Sequence, residues 1–275
     1  MISALTNIGS LRALNAIGNS QRDLTTSLER LATGKRINRA ADDPAGLVAV
    51  NDFKGRIAEI NGMLRALDQE EFSLGAREGA ASAQQDLVLE LKGLIITGAN
   101  RSALAPEEID ALQTQIDGLV GAIDFVSNTS TYKGQQILQG INSTTIGAGA
   151  VSAPDGSAYT LADLRTGGRL SLRSGDLEAA DKLLGGATSF MSTQRATIGS
   201  RLQSIDSQRR SLGTELANID SARSLIEDTD YAEETAKLVR SQTLQQAAIY
   251  VKQAAQQQQA DSVLALLKGV IDGQK

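Results

Sequence analysis

Leucine and isoleucine recur at every seventh position near the start of the chain, at Ile17, Leu24 and Leu31, with Leu14 and Leu28 on the adjoining row. That spacing predicts an amphipathic helix over roughly 3–33, with coiled-coil character. Asn15, Asn19 and Gln21 thin its apolar stripe. A second helix is expected to open at Asp43 and Pro44, an N-cap residue followed by the imino acid best suited to the first helical position. Val50, Phe53, Ile57, Ile60, Leu64, Leu67, Glu71 and Leu74 then alternate at spacings of three and four, and the pattern loosens through Ala81, Val88 and Ile95 to Ala99. About 55 helical residues would extend about 80 Å at 1.5 Å per residue, so the expected molecule is a rod. NRSALAPEE (100–108) reads as a loop and helix start. Ile109, Leu112, Ile116, Leu119, Ile123 and Val126 carry the next stripe, ended by NTSTYKG (128–134).

The period then fails. Residues 134–175 are rich in Gly, Ser and Thr, PDG (154–156) signals a turn, and RLSLR (169–173) alternates as a strand would. This segment is expected to form short hairpins, and 141–175 to be a surface insertion that the rest can do without. Helical period returns over 187–228 at Ile198, Leu202, Ile205, Arg209, Leu212, Leu216, Ile219, Arg223 and Ile226, with Arg209 and Arg223 interrupting an apolar seam. DTDY (228–231) breaks the pattern. A last helix over 232–270 carries Leu244, Ala248, Val251 and Ala255, then Val263, Leu264, Leu266 and Leu267, with the polar run QQQQ (256–259) between.

The fold class is therefore predominantly all-α: a long antiparallel helical rod or coiled-coil bundle with paired terminal helices and a small β-hairpin segment. The expected division is 1–33 with 235–275 as a terminal-helix domain, 34–46 and 229–234 as connecting spokes, 47–140 with 176–228 as the rod, and 141–175 as the hairpin segment. The terminal helices have apolar stripes without a third helix to cover them. A lone pair of thin amphipathic helices buries too little surface to offset its ordering entropy. Copies of the same chain are expected to complete them, through Ile17, Leu24, Leu28, Leu31, Leu244, Ala248, Val251, Leu264 and Leu267.

Composition narrows the chemistry. Only 3% of residues are aromatic and there is no Trp, which suits a thin bundle filled by aliphatic side chains. His and Cys are both absent. That removes Ser-His-Asp and Cys-His nucleophile systems, imidazole and thiolate metal sites, and disulfides. A net charge of −5 argues against a general nucleic-acid grip. No apolar run approaches the roughly 18 residues that span a membrane. The N-terminus lacks the basic start and apolar block of a secretory signal, so export, if it occurs, is expected to use another route. No cofactor, metal or small-molecule substrate is expected.

The densest cluster of charge and glycine is SLERLATGKRINRAADDPAGLVAV (27–50). GKR looks like a piece of a phosphate loop, but GxxxxGK[ST] is not matched and no strand precedes it. Asp42 and Asp43 resemble an acid pair, yet a helix cap with ion pairs accounts for them. The stretch reads as a joint between helices.

Several motifs together resemble bacterial flagellin, in a short form without the large variable outer domain. They are SLERLATGKRINRAADDPAGL (27–47), REGA (77–80), GAN (98–100) and YKGQQIL (132–138) on the N-terminal side. On the C-terminal side they are RATIGSRLQSID (195–206), SLIEDTDYAEET (224–235) and LVRSQTLQQAAIYVKQAAQQQQADSVLALL (238–267). The resemblance covers about 1–140 and 185–267. It implies an extracellular filament subunit exported by the flagellum's own type III apparatus. Implied partners are further copies of itself, sibling flagellins, hook-associated proteins, the filament cap and an export chaperone. A hook–filament junction protein is the alternative. In this reading Gly34, Lys35, Arg36, Arg39, Asp42, Asp43 and Pro44 form the spoke between the inner and rod helices, with the charged members making ion pairs within and between subunits. The sequence departs from the family at LDQEEFSL (67–74), where an Asn-Asp-Gly turn is usual, and in the tail KGVIDGQK after Leu267. Flagellins are also ligands of a vertebrate innate receptor. The resemblance places Leu89, Glu90 and Gln115 in the corresponding patch, with Glu90 where receptor-active members carry an arginine and Gln115 close to where they carry a glutamate. It implies weak signalling.

Overall fold

The computed structural model describes residues 7–173 and 175–272, the last three by backbone alone. The expected helical residues 3–6 and the tail end 273–275 lie outside the described residues. In chain order the elements are α1 (Ile8–Thr33), α2 (Pro44–Gly98), a 3₁₀ turn (Arg101–Ala103), α3 (Pro106–Thr129), β1 (Thr131–Tyr132), β2 (Gln135–Gln136), a second 3₁₀ turn (Leu161–Leu164), α4 (Leu177–Glu227) and α5 (Tyr231–Asp272). Two compact units result. One comprises the described residues up to Glu59 and from Glu215 onward; the other is Ile60–Thr214.

In the first unit α1 pairs antiparallel with α5. Asn7 caps α1, its side-chain oxygen accepting the Ser10 amide at 2.9 Å. Gly34 ends it with φ +70°, its own amide reaching the Arg30 carbonyl. The buried residues of α1 are Ala13, Ser20 and Ser27, and those of α5 are Glu234, Ser241 and Ala248. Both sets repeat every seventh residue, so the seam between the helices is built from small and polar side chains.

The second unit has a closed apolar core. Val88, Leu91 and Ile95 of α2, Ile116, Val120 and Ile123 of α3, and Leu183, Leu184 and Met191 of α4 are essentially inaccessible. So are Leu138, Ile146, Leu161, Leu164, Leu170 and Leu172 from the stretch between α3 and α4. The segment expected to be a dispensable insertion thus supplies much of the core. It shows no helical period because its leucines arrive from successive turns, several of them with glycines at positive φ.

The strand expected at RLSLR does not form. Leu170, Ser171 and Leu172 are all buried, and Leu172 takes its hydrogen bonds from side chains. Its amide donates to Gln113 Oε1 at 2.8 Å, and its carbonyl accepts from Arg101 at 3.0 Å. The hairpin lies earlier, pairing Thr131 with Gln136 and Tyr132 with Gln135. Lys133 and Gly134 turn it, both at positive φ as a two-residue hairpin loop demands. Within 141–175 the only ladder contact among described residues is an isolated bridge, Ser152 with Ala158, around the PDG turn.

One polar row on α3 fixes these turns. Asp110 pairs with Arg173. Gln113 Nε2 donates to the Leu164 carbonyl at 2.8 Å. Asp117 accepts the Thr166 amide and hydroxyl at 2.8 and 2.6 Å. Asp124 accepts Ser143 through both its amide and hydroxyl, and Arg165, each at 2.9 Å. Burial would raise the Asp117 carboxyl; the Thr166 and Gln113 hydrogen bonds outweigh it and hold the group below its ordinary value.

α4 starts ten residues before the expected 187 (at Leu177), capped by Asp176, whose Oδ1 accepts the Glu178 and Ala179 amides. Gly186 makes room within it, since a Cβ there would sit 2.2 Å from that of Ala150. LDQEEFSL is uninterrupted helix within α2. Its acids meet the arginines of α4: Glu70 takes a two-pronged contact from Arg201 at 2.6 and 3.0 Å, and Arg209 bridges Asp68 and Glu71. Arg209 therefore enters the expected apolar seam with its charge matched.

Candidate assembly interface

The spoke is a short piece of chain held from several sides. After Gly34, residues 34–36 run antiparallel to 227–229. The Arg36 amide donates to the Glu227 carbonyl at 2.7 Å and the Thr229 amide to the Gly34 carbonyl at 2.9 Å, with Lys35 bridged to Asp228. Arg36 adds its guanidinium to the Ile226 carbonyl at 2.8 Å and lies 3.8 Å from Asp43. Ile37 is buried and anchors the turn. Arg39 forks onto the Glu29 carboxylate of α1 at 2.9 and 3.1 Å.

Asp42 closes the turn, accepting the Asn38 and Arg39 amides at 3.0 and 2.8 Å. Those two bonds lower its pKa, the Arg39 amide first. Asp43 caps α2 through the Gly46 amide at 2.9 Å, and Pro44 occupies the first helical position. Gly34 has a second role beyond its positive φ, because a Cβ would come within 3.0 Å of the Tyr231 hydroxyl.

Two carboxylates that pattern reading passed over lie deeper than any of these. Glu227 is 4% exposed. Its Oε1 receives Lys35 at 2.8 Å and Lys54 of α2 at 2.9 Å, while Arg223 stands 3.7 Å from Oε2. Burial alone would raise this carboxyl; the Lys35 and Lys54 hydrogen bonds and charges overcome it and lower the pKa. Glu234 is also 4% exposed and accepts the Ser27 hydroxyl at 2.6 Å. The available signal was local: Glu227 is four residues beyond Arg223, and Glu234 opens a heptad continued by Ser241, Ala248 and Ala255.

The expected assembly residues fall into three groups. Ile17, Leu24 and Leu31 are half-buried. Leu28, Leu244, Val251, Leu264 and Leu267 are exposed, Leu244 and Val251 to 54% and 57%. Ala248 faces inward, in the seam with α1. Ile8, Leu11, Leu14, Tyr250, Val263 and Leu266 add to the exposed apolar surface. Leu89 and Glu90 on α2 and Gln115 on α3 are exposed on the second unit. No helix among the described residues is long and apolar enough to cross a membrane. No group of acidic residues among them is arranged to hold a metal ion.

Long paired helices, a seam of small residues and large aliphatic side chains left bare define a structural coiled-coil protein built to associate. The profile of the bacterial flagellin N-terminal helical region matches residues 4–143, and that of the C-terminal helical region matches 182–267. The chain belongs to the bacterial flagellin family. It is similar to the flagellin of Bacillus subtilis, at 25% identity over 301 residues that cover 95% of this chain and 98% of the relative. The flagellar filament 30.7 kDa core protein of Treponema maltophilum is 26% identical over 281 residues, again 95% and 98%. The B-type flagellin of Pseudomonas aeruginosa is 33% identical over 140 residues, 51% of this chain and 28% of that one. The chain is a short flagellin without the large outer domain, a structural subunit that polymerises into the flagellar filament that drives swimming. None of these matches favours the hook–filament junction alternative.

Proposed function

We propose that the α1–α5 pair forms the interior of an extracellular filament and that neighbouring copies cover its bare apolar face. One observation carries this reading: the fully buried positions of the seam are small or polar, while many of the large aliphatic side chains of these helices stand exposed. Leu28, Leu244, Val251, Leu264 and Leu267 are the surface that copies bury, with Ile17, Leu24 and Leu31 half-exposed beside it. Residues 1–33 and 235–275 make the inner layer, 34–46 and 229–234 the spokes, and 47–140 with 176–228 the outer helices. The resemblance supports type III export, and sibling flagellins, hook-associated proteins, a filament cap and an export chaperone as partners.

The test is Leu244→Asp with Val251→Asp. Both side chains are exposed in the single chain, so its helical circular dichroism should be unchanged. Burying the new charges between copies would cost several kcal/mol, roughly 2 or more per site, and electron microscopy should find no filaments. Normal filaments from the double variant would remove the proposed interface.

A further inference from the structure

Within the second unit, α2 and α4 are covered along only part of their length. On α2 one heptad row is buried at Ile60, Leu67, Ala81, Val88 and Ile95, so the seam follows a seven-residue repeat from end to end. The adjoining row runs Met63, Glu70, Arg77, Gln84, Leu91 and Gly98. Its later half is roofed by other elements. Gln84 Nε2 donates to the Ile123 carbonyl of α3 at 3.3 Å and to the Ile141 carbonyl at 3.1 Å. Leu91 is inaccessible, and a Cβ on Gly98 would sit 2.5 Å from Leu172. At its other end the row is bare, with Met63 exposed to 38%. α4 changes in the same sense. Leu184, Met191, Ile198 and Ile205 are buried, while Leu212, one heptad on, is half-buried; Ala187 is inaccessible, while Gln208, three heptads on, is exposed.

Where the third layer stops, a groove of about 440 Å³ remains, lined by Met63, Ala66 and Leu67 of α2 and Leu212 of α4. Glu70 and Arg201 also line it, but they spend their charges on each other at 2.6 and 3.0 Å. The groove therefore offers an ionic ligand no free charge, and its open surface suits an apolar occupant.

Polymerisation points to the occupant. A helical polymer grows by head-to-tail contacts, in which a patch on one subunit meets a different patch on the next. Each copy must then carry both a receiving surface and a surface that fills it. The same unit leaves Phe72 and Phe125 exposed to 66% and 67%, aromatic side chains of the kind that anchor interfaces, and neither lines the groove.

We propose that this groove is a docking site for a second copy of the chain, whose apolar side chains take the place that α3 and the leucines after it take further along α2 and α4. The proposal rests on polymerisation but not on the α1–α5 interior described above, and the groove lies wholly within the second unit.

Met63 reports occupancy without any substitution. Peroxide transfers one oxygen atom to an accessible thioether, leaving a sulfoxide and water. Mass spectrometry of peptides reads the oxidation at Met63, with the inaccessible Met191 as a slow reference. Met63 should oxidise readily in the unassembled full-length chain and several-fold more slowly in filaments verified by electron microscopy. Ala66 is exposed, so Ala66→Lys should leave helical circular dichroism unchanged. It should raise the concentration of free chain in equilibrium with filaments about tenfold, by setting a charge into the contact. Equal oxidation of Met63 in filaments and in free chain would overturn the proposal and leave polymerisation standing. An unchanged equilibrium concentration for Ala66→Lys would overturn it too. Protection of Met63 already present in the free chain, and lifted by passage over a hydrophobic adsorbent, would give the groove to a small apolar ligand and also overturn it. Absence of filaments from the parent chain would remove polymerisation itself, a failure distinct from that of the groove.

Discussion

The two units use the same heptad alphabet to opposite ends. In the second, the aliphatic residues of α2, α3 and α4 turn inward onto a core closed by the leucines of 138–172. In the first, α1 and α5 turn alanine, serine and glutamate toward each other and leave leucine and valine outside. The difference lies in what the chain brings to the helices. Between α3 and α4 it supplies a third body of side chains, clipped down by the polar row of α3. Around α1 and α5 no third element is supplied among the described residues, and in the filament reading proposed above neighbouring copies fill that place. A heptad thus announces a contact, and the rest of the chain decides whether that contact is internal.

The hardest test of this contrast is removal of the closing segment. Replacing 145–165 with a Gly-Ser link deletes Ile146, Leu161 and Leu164, all fully buried. Each such side chain is worth about 2–5 kcal/mol, so the second unit should unfold, seen as a large loss of helical circular dichroism. A helical, cooperatively melting product would return the segment to the status of an insertion. Single substitutions refine the point. Leu161→Ala should cost about 3 kcal/mol, whereas Leu244→Ala should change the stability of the single chain by under about 0.5 kcal/mol. Comparable losses in chemical denaturation would erase the distinction between the units.

The spoke should respond to acid. The Glu227 carboxyl is lowered in the folded chain, so its contribution is present above the unfolded value near 4.5 and is lost as pH falls through the folded one. Glu227→Gln should cost about 2 kcal/mol at neutral pH, less than a fully buried pair because Lys35 and Lys54 are partly exposed. It should also flatten the loss of stability below about pH 4.5. An unchanged acid limb would show that other carboxylates set it. The smallest effect is expected on the outside of the closed unit. Glu90 is exposed, so Glu90→Arg should leave folding untouched. If the receptor patch is as the family resemblance implies, it should recover about tenfold in a reporter-cell titration of soluble chain. No gain would separate this surface from receptor recognition.

Much of this was legible in the sequence, in a pattern with a physical cause. The helices could be read because spacings of three and four recur over many turns, and both Asp43–Pro44 and DTDY mark real boundaries. The closing segment could not, since Leu161, Leu164, Leu170 and Leu172 are positioned by turns and by Gln113, Asp117 and Asp124, and no period connects them. Nor could the inward face of α1. Ile17, Leu24 and Leu31 share their period with Ala13, Ser20 and Ser27, and periodicity alone does not say which row a neighbour occupies. Within the candidate site, Asp43 and Pro44 followed from backbone rules, and Gly34 from the resemblance. Glu227 did not, because its partners Lys35 and Lys54 are remote in sequence and meet only after the chain has doubled back.

That doubling back has a mechanical meaning. A connector of one strand is a tether, free to swivel about its single bonds. Here residues 34–36 and 227–229 are laced together by main-chain hydrogen bonds, so a pull along α1 loads the lacing in shear and is divided between two strands. The lacing uses atoms that every amino acid except proline possesses. Side chains turned to solvent around it can therefore vary, so long as Gly34 keeps its positive φ and Glu227 its two lysines, and the two strands stay joined.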